Sequence, residues 1–211
     1  MIDELPEWLR PLAAIAAEID DSDLSRFTVP DDGNGRPSAV LIAFAKSEHG
    51  PAVLLIQRAD DLRTHAGQVA FPGGSLDPTD ESLSAAALRE AQEEVGLDPA
   101  TVRIVAELPP IFIPVSGFVV TPVLAWWEHP HDVRPVDTAE VAAVELVPLA
   151  ELVDPANRFL VTHPSGWLGP GFEASGLFVW GFTAGLLDKL LEFGGWAEPW
   201  DQAARRPLPM P

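Results

Sequence analysis

The sequence predicts an α/β (α+β) fold, a mixed sheet with helices on both faces, and three observations carry that reading. Short apolar runs of strand length stand before and after one central helix. A second amphipathic helix follows late in the chain. The composition, 47% hydrophobic and 21% charged over 211 residues, supplies a core for one domain with modest terminal additions.

In order along the chain, Leu9 to Ile19 places apolar residues at helical spacing and predicts a short N-terminal helix. Asp20 to Pro37, rich in Asp, Gly and Pro, predicts a loop. Ala39–Ala45 and Ala52–Ile56 predict two buried strands joined by a turn at Ser47–Pro51. Asp60–Gly67 is a polar, basic loop, and Gln68–Phe71 a short strand. The central helix starts near Asp80 to Ser82 and ends before Gly96, which suits the left-handed residue that follows a helix. Val102–Leu108 predicts a strand and Pro109–Gly117 a loop. Phe118–Trp127 predicts a strand whose Pro122 points to an edge or a bulge. Glu128–Asp137 is a loop, Val141–Val147 a strand and Leu149–Leu152 a helical turn. Asn157–Gly176 reads as a Gly/Pro-rich connection holding one strand, Phe159–Thr162. Thr183–Phe193 is helical, with Leu186, Leu187, Leu190 and Leu191 sharing a face. The expected organisation is an N-terminal helix and loop over 1–37, a domain over 38–193 and an irregular tail over 194–211.

Composition narrows the function classes. The absence of cysteine excludes a disulfide scaffold, a thiolate metal site and a cysteine nucleophile. The acid-rich first twenty residues do not resemble a secretory signal. The apolar run Phe118–Trp127 is too short to span a bilayer. The expectation is a soluble, cytoplasmic protein. A net charge of −19 argues against nucleic acid and anionic membranes as partners. It leaves room for a small anionic substrate, because a few arginines and a bound divalent cation reverse the sign of one pocket.

Chemistry concentrates between Phe71 and Leu97. A Pro72-Gly73-Gly74 turn precedes a helix that carries Glu90, Glu93 and Glu94. At roughly 100° per residue, Glu90 and Glu94 fall about 40° apart, with Glu93 about 60° from Glu90. Both lie at the margin of the apolar face formed by Ser84, Leu88, Ala91 and Val95. Three carboxylates so close repel one another unless a cation neutralises them. Oxygen-only donors favour Mg2+ or Mn2+ over Zn2+. The competing reading is a solvated acidic face closed by Arg89.

The run G-x6-E-x7-R-E-A-Q-E-E-V-G-L, from Gly74 through Glu81 and Arg89 to Leu97, closely resembles the Nudix box, the metal-binding loop–helix–loop of Nudix hydrolases. One residue is extra between Gly74 and Arg89, so either Asp80 or Glu81 stands where the box carries its first acid. Upstream, Leu54-Leu55-x2-Arg58-Ala59-x3-Arg63-x3-Gly67-x3-Phe71-Pro72-Gly73-Gly74 resembles the additional signature of the coenzyme A diphosphatase branch, which also shows the longer box. Softer matches are Ser116-Gly117-Phe118-x-Val120-Thr121-Pro122 and Val179-Trp180-Gly181-x-Thr183-Ala184. The resemblance covers roughly Ala39 to Leu191.

It implies a Nudix-like α/β/α sandwich and Mg2+- or Mn2+-dependent hydrolysis of the diphosphate of coenzyme A or a derivative. Glu90 and Glu94 would be the metal ligands. Glu93, a further ligand or the base, is the first choice of proton acceptor, and Glu140 the second. Arg58 and Arg63 offer planar donors to phosphate. His65 offers a hydrogen bond to phosphate or adenine, and Gly67, Gly73 and Gly74 allow close backbone approach. Arg58 pairing with Asp60 or Asp61, and His65 as an incidental loop residue, are the bland alternatives. The expected partner is a small molecule, coenzyme A or a related nucleotide, with no nucleic acid and no membrane; a homodimer is left open. Two rival readings remain: hydrolysis of another nucleoside diphosphate derivative, and a non-catalytic binding module on the same scaffold.

Overall fold

The structure, a computed structural model, describes residues 2–30, 35–62 and 65–208. Two short helices, α1 (Arg10–Ile15) and α2 (Asp21–Leu24), precede β1 (Arg36–Ser47), β2 (Gly50–Arg58), β3 (Val69–Ala70) and β4 (Gly73–Ser75). The central helix is α3 (Leu83–Val95). It is followed by β5 (Val102–Glu107), β6 (Ile111–Ile113), β7 (Phe118–Trp127), β8 (Val141–Pro148) and α4 (Leu149–Val153). The chain closes with β9 (Arg158–Thr162), β10 (Leu168–Ala174), β11 (Leu177–Val179), α5 (Gly181–Phe193) and β12 (Arg205–Pro207).

The main sheet is mixed, and its runs are apolar nearly throughout because both faces are covered. Ala39, Leu41, Ala43 and Ala45 of β1 face α3 together with Leu54, Ile56, Val123 and Ala125. Ile42, Phe44, Val53, Leu55 and Leu124 face the other core, which α1, α4 and α5 complete. This is the predicted architecture of a mixed sheet with helices on both faces. No helix among the described residues is long and apolar enough to cross a membrane.

The pairing explains why the glycine turn sits where it does. β1 runs parallel to β7 from Arg36↔Phe118 to Ala45↔Trp127. On its other side β1 pairs with β2 only near their hairpin, from Ser47↔Gly50 to Phe44↔Val53. Beyond that point the two strands part. β3 then lies against β2 at Ile56 and Gln57, and β4 against β1 at Ser38 to Val40. The segment from Val69 to Ser75 therefore crosses the split between the two strands, with the Pro72 carbonyl accepting the Leu41 amide at 2.8 Å.

Several elements depart from expectation. The N-terminal helix stops at Ile15 rather than Ile19, because Asp20 and Asp23 form a reciprocal cap that starts α2 inside the predicted loop. Pro122 is neither at an edge nor in a bulge: β7 lies between β1 and β5, and the register shift falls in β5 between Ile104 and Ala106. The Pro122 carbonyl accepts the Leu108 amide at 2.9 Å, so its missing N–H faces the place where β5 ends and β6 takes over. The predicted loop at Pro109–Gly117 contains β6. The connection from Asn157 to Gly176 is a hairpin of β9 and β10 within a second sheet, ordered β11-β10-β9-β12. The tail expected to be irregular supplies β12, parallel to β9. Trp196 of the tail covers the core, its ring 6.0 Å from Trp8 and 5.7 Å from Phe44, and its indole N–H donates to the Trp8 carbonyl.

Candidate active site

Ser82 starts α3 by accepting the Ala85 amide on its hydroxyl at 3.0 Å, and Gly96 ends it in the left-handed conformation, φ 73°. Ala86, Ala87, Ala91 and Val95 face the sheet, and Glu94 is carried into the same interface. Glu94 is 3% exposed, and its Oε2 accepts the Gly73 amide at 3.0 Å. Burial pushes its carboxyl up to about 8, against the pull of the Gly73 N–H and the Arg58 charge. Glu90, half-buried, is raised for the same first reason, with Arg89 opposing.

Arg89 organises the rest of the helix face. Its Nε and Nη2 bind Asp80 Oδ1 and Oδ2 at 3.0 Å each, and Nη1 reaches Glu90 Oε1 and Glu93 Oε2 at 3.0 Å. Nη2 also donates to the Ser75 carbonyl at 3.2 Å. This settles the acid partner in the longer box: Asp80 pairs with Arg89, and its carboxyl is held below the usual range by that bond, while Glu81 is exposed.

Among the described residues, no three carboxylates or histidines form a ready-made cage for a metal ion. Glu90 and Glu93 lie on Arg89, and Glu94 lies on Gly73. Mg2+ commonly takes one or two carboxylates and completes its shell with water and substrate phosphate, so the donor set suits it without a cage. A deeply buried carboxylate whose carboxyl sits near 8 calls for either a proton or a cation. Glu90 and Glu94 could hold the ion together.

The two glycines of the turn have separate duties. A Cβ on Gly73 would lie 2.3 Å from the Ala39 carbonyl oxygen and 2.7 Å from Val40 Cα, both backbone. One on Gly74 would lie 2.4 Å from Glu90 Oε1, the end of a movable side chain. Gly73→Ala is accordingly expected to destabilise the fold by about 2 kcal/mol, as overpacking does. Gly74→Ala is expected to keep the stability while displacing the Glu90 carboxylate, and so to weaken divalent-ion affinity if Glu90 is a ligand. Thermal unfolding and Mg2+ titration of both variants check this; equal melting temperatures would refute the division.

The other predicted residues are placed as follows. Arg58 ends β2, opposite Val141, and its charge acts on Glu94. Its Nε is buried without a hydrogen-bond partner, and it makes no ion pair with Asp60 or Asp61 among the described residues. Glu140 precedes β8, its carbonyl accepts the Ala59 amide at 2.8 Å, and its charge acts on both Glu90 and Glu94. Glu93 is exposed, as is the Glu140 side chain, and rests on Arg89. His65 is exposed, has φ 59°, and meets Gln68 Oε1 through Nδ1 at 2.9 Å. Gly67, at φ 66°, turns the chain tightly against Asp60, where a Cβ would come within 2.8 Å of its carboxylate. Arg63 lies outside the described residues. The structure thus brings together Glu90, Glu93, Glu94, Glu140, Arg58, Gly73 and Gly74. His65 and Gly67 belong to the neighbouring loop, where His65 meets Gln68 and Gly67 lies against Asp60.

With this geometry in hand, the family model for the NUDIX domain matches residues 35–168. The chain belongs to the Nudix family. An uncharacterized Nudix hydrolase, NudL, from Enterobacter sp. (strain 638) is 44% identical over 165 residues, 74% of this chain and 82% of the relative. Its namesake from Cronobacter sakazakii is 46% identical over 170 residues, with the same coverage. Among solved structures, the Nudix hydrolase RenU of M. smegmatis superposes with a TM-score of 0.51 at 22% identity, covering 79% of this chain and 90% of that one, which shows a shared fold. The protein is a Nudix hydrolase, an enzyme of the class that acts on pyrophosphate bonds.

One part of the site left no mark that the motifs could pick up. The chain between β7 and β8 docks by its backbone on the end of α3: the Arg134 amide donates to the Val95 carbonyl and the Val136 amide to the Glu94 carbonyl. Backbone donors have no residue signature, and the stretch reads as an ordinary polar loop.

Proposed function

We propose that this Nudix hydrolase cleaves the diphosphate of coenzyme A or a derivative, giving 4′-phosphopantetheine or its acyl form and adenosine 3′,5′-bisphosphate. Arg58 carries the reading. An arginine whose Nε is buried and unpartnered, beside the buried Glu94, is a phosphate donor in waiting rather than half of a surface ion pair. The Arg58-x4-Arg63-x3-Gly67 pattern leading into Phe71-Pro72-Gly73-Gly74 supports the same substrate, which carries a ribose 3′-phosphate besides its diphosphate.

Glu90 and Glu94 would hold Mg2+ or Mn2+, which would supply Lewis-acid neutralisation of the diphosphate charge. Gly73 fixes Glu94 by donating its amide to Oε2. Arg89 fixes Glu90 and Glu93 in turn. Arg58 aligns the diphosphate for attack by water at phosphorus, and Glu93 or Glu140 takes the proton of that water. The water oxygen bonds to one phosphorus, and the bridging oxygen leaves with the other.

The test is competition among coenzyme A, dephospho-coenzyme A, ADP-ribose and nucleoside triphosphates with Mg2+. Coenzyme A is expected to have the highest kcat/KM, and dephospho-coenzyme A to lose at least tenfold. Indifference to the 3′-phosphate would move the assignment to another nucleoside diphosphate derivative. Arg58→Ala is expected to raise KM for coenzyme A about 10–100-fold, the size of a lost charged hydrogen bond, with a smaller change in kcat. An unchanged KM would remove Arg58 from the substrate site.

A further inference from the structure

We infer that the segment from Glu128 to Glu140 is a strap, tied by its backbone to the end of α3 and fastened by His131, that holds Glu140 in place as the proton acceptor. The inference rests on the hydrolase reading above and makes the choice that reading leaves between Glu93 and Glu140. It does not depend on which diphosphate is the substrate.

The strap is held at three places. In its middle, Val136 donates its amide to the Glu94 carbonyl at 2.9 Å, and Arg134 donates to the Val95 carbonyl at 3.1 Å. Carbonyls at a helix end have no partner within the helix, so the strap satisfies them and ties itself to the residue that carries the buried carboxylate. The fit is close: a Cβ on Gly96 would come 3.3 Å from Val136 Cγ2.

Nearer its start, His131 fastens it. The Asp98 amide donates to His131 Nε2 at 3.0 Å, and Nδ1 donates to the Asp132 carbonyl at 3.0 Å. These two bonds use both nitrogens of a neutral ring with its proton on Nδ1. The ring meets Trp127 edge-on at 5.3 Å, and Trp127 is itself immobilised, 1% exposed with its indole N–H on Thr101 Oγ1. At its end, Asp137 makes a tight turn. Its carbonyl accepts the Glu140 and Val141 amides, and its carboxylate accepts the Ala139 amide at 2.9 Å. The turn delivers the Glu140 carbonyl to the Ala59 amide, one residue past Arg58.

The backbone of Glu140 is thus fixed between the strap's turn and the end of β2, and its exposed side chain projects from that anchored point. Its charge bears on both Glu90 and Glu94. The Glu93 carboxylate is taken up by the Arg89 guanidinium, Nη1 donating to Oε2 at 3.0 Å, whereas no hydrogen bond or ion pair engages the Glu140 carboxylate among the described residues. The geometry favours Glu140 for the proton and gives His131 a positioning role.

The experiment is a double-mutant cycle on the full chain with Mg2+, run with both coenzyme A and ADP-ribose so that substrate assignment does not decide it. Glu140→Gln is expected to lower kcat about 100-fold, as loss of a general base does. His131→Ala is expected to lower kcat about tenfold, with KM and the Mg2+ half-saturation unchanged within about twofold, because the strap positions the base and binds nothing. His131→Gln, whose amide oxygen can accept the Asp98 amide, should restore most of the rate. In the Glu140→Gln background His131→Ala should cost no more than about twofold, since a residue acting through another loses its effect when that one is gone. Additive losses, an unaltered kcat in Glu140→Gln, or a failure of His131→Gln to recover the rate at wild-type melting temperature would each overturn the inference. A protein turning over neither substrate, or one still active as Glu94→Gln, would refute the hydrolase mechanism instead.

Discussion

Glu94→Gln is expected to remove Mg2+-dependent hydrolysis by about 1,000-fold or more and to leave a folded protein that, without metal, is more stable at pH 8 than the parent. The first half follows from the loss of a charged ligand: stabilisation of the diphosphate by a metal is worth several kcal/mol, and about 4 kcal/mol corresponds to that factor. The second half follows from burial. Glu94 is 3% exposed and opposed by the charges of Glu90 and Glu140, so ionising it without a cation is unfavourable. Glutamine keeps an oxygen for the Gly73 amide and carries no charge. Steady-state rates and thermal melts in chelator measure the two halves. Retained turnover would sink the proposed ligand set. Loss of both activity and stability would mean that Glu94 serves packing rather than metal.

The wild-type protein in chelator should lose stability as the pH is raised from about 4.5 to about 8, the interval between the ordinary glutamate value and that of buried Glu94. In this window the unfolded chain has released the proton that the folded chain still holds, so each rise in pH favours unfolding. The contribution is whole below 4.5 and gone above about 8, with a ceiling of about 5 kcal/mol set by the size of the shift. Asp80 acts in the opposite sense and in a lower range. Arg89 depresses its carboxyl, so its contribution is present above the ordinary aspartate value and is lost in acid. Saturating Mg2+ should flatten the decline, and at neutral pH its binding should release a proton, measurable in weak buffer. A chelated protein whose stability is level from pH 5 to pH 8 would contradict the burial argument.

How much of this was legible beforehand differs from element to element, for physical reasons. Strands β1, β2 and β7 announce themselves because they are covered on both faces and are apolar almost without interruption. Helix α3 is equally plain, since capping, periodicity and the terminal glycine all agree. The β9–β10 hairpin is hidden because β10 reads Leu-Gly-Pro-Gly-Phe, a sequence of loop character. Its glycines serve packing: a Cβ on Gly169 would enter the Trp167 ring, and one on Gly171 would meet Val161 and Phe159. β12, Arg-Arg-Pro, shows no alternation because it draws on β9 for pairing and lays Arg206 over Phe159. In the site, the carboxylates stood out from their helical spacing, and Arg58 from the resemblance to a family signature. Whether Asp80 or Glu81 pairs with Arg89 could not be read, since one extra residue in a loop leaves both within reach until the backbone path is known.

Alanine dominates the contact between α3 and the main sheet. Ala86, Ala87 and Ala91 on the helix meet Ala39, Ala43 and Ala45 on β1, all with no exposure. Side chains this small bring the two backbones close and leave no slack to absorb an added methylene. Over evolutionary time this face should drift little, because enlarging one residue would lift the carboxylates away from the glycine turn. The opposite face, built from aromatics and leucines contributed by α1, α5 and the second sheet, has many volume-conserving exchanges open to it. A saturation mutational scan should therefore divide along the sheet, with severe intolerance on the α3 side and broad substitution across from it.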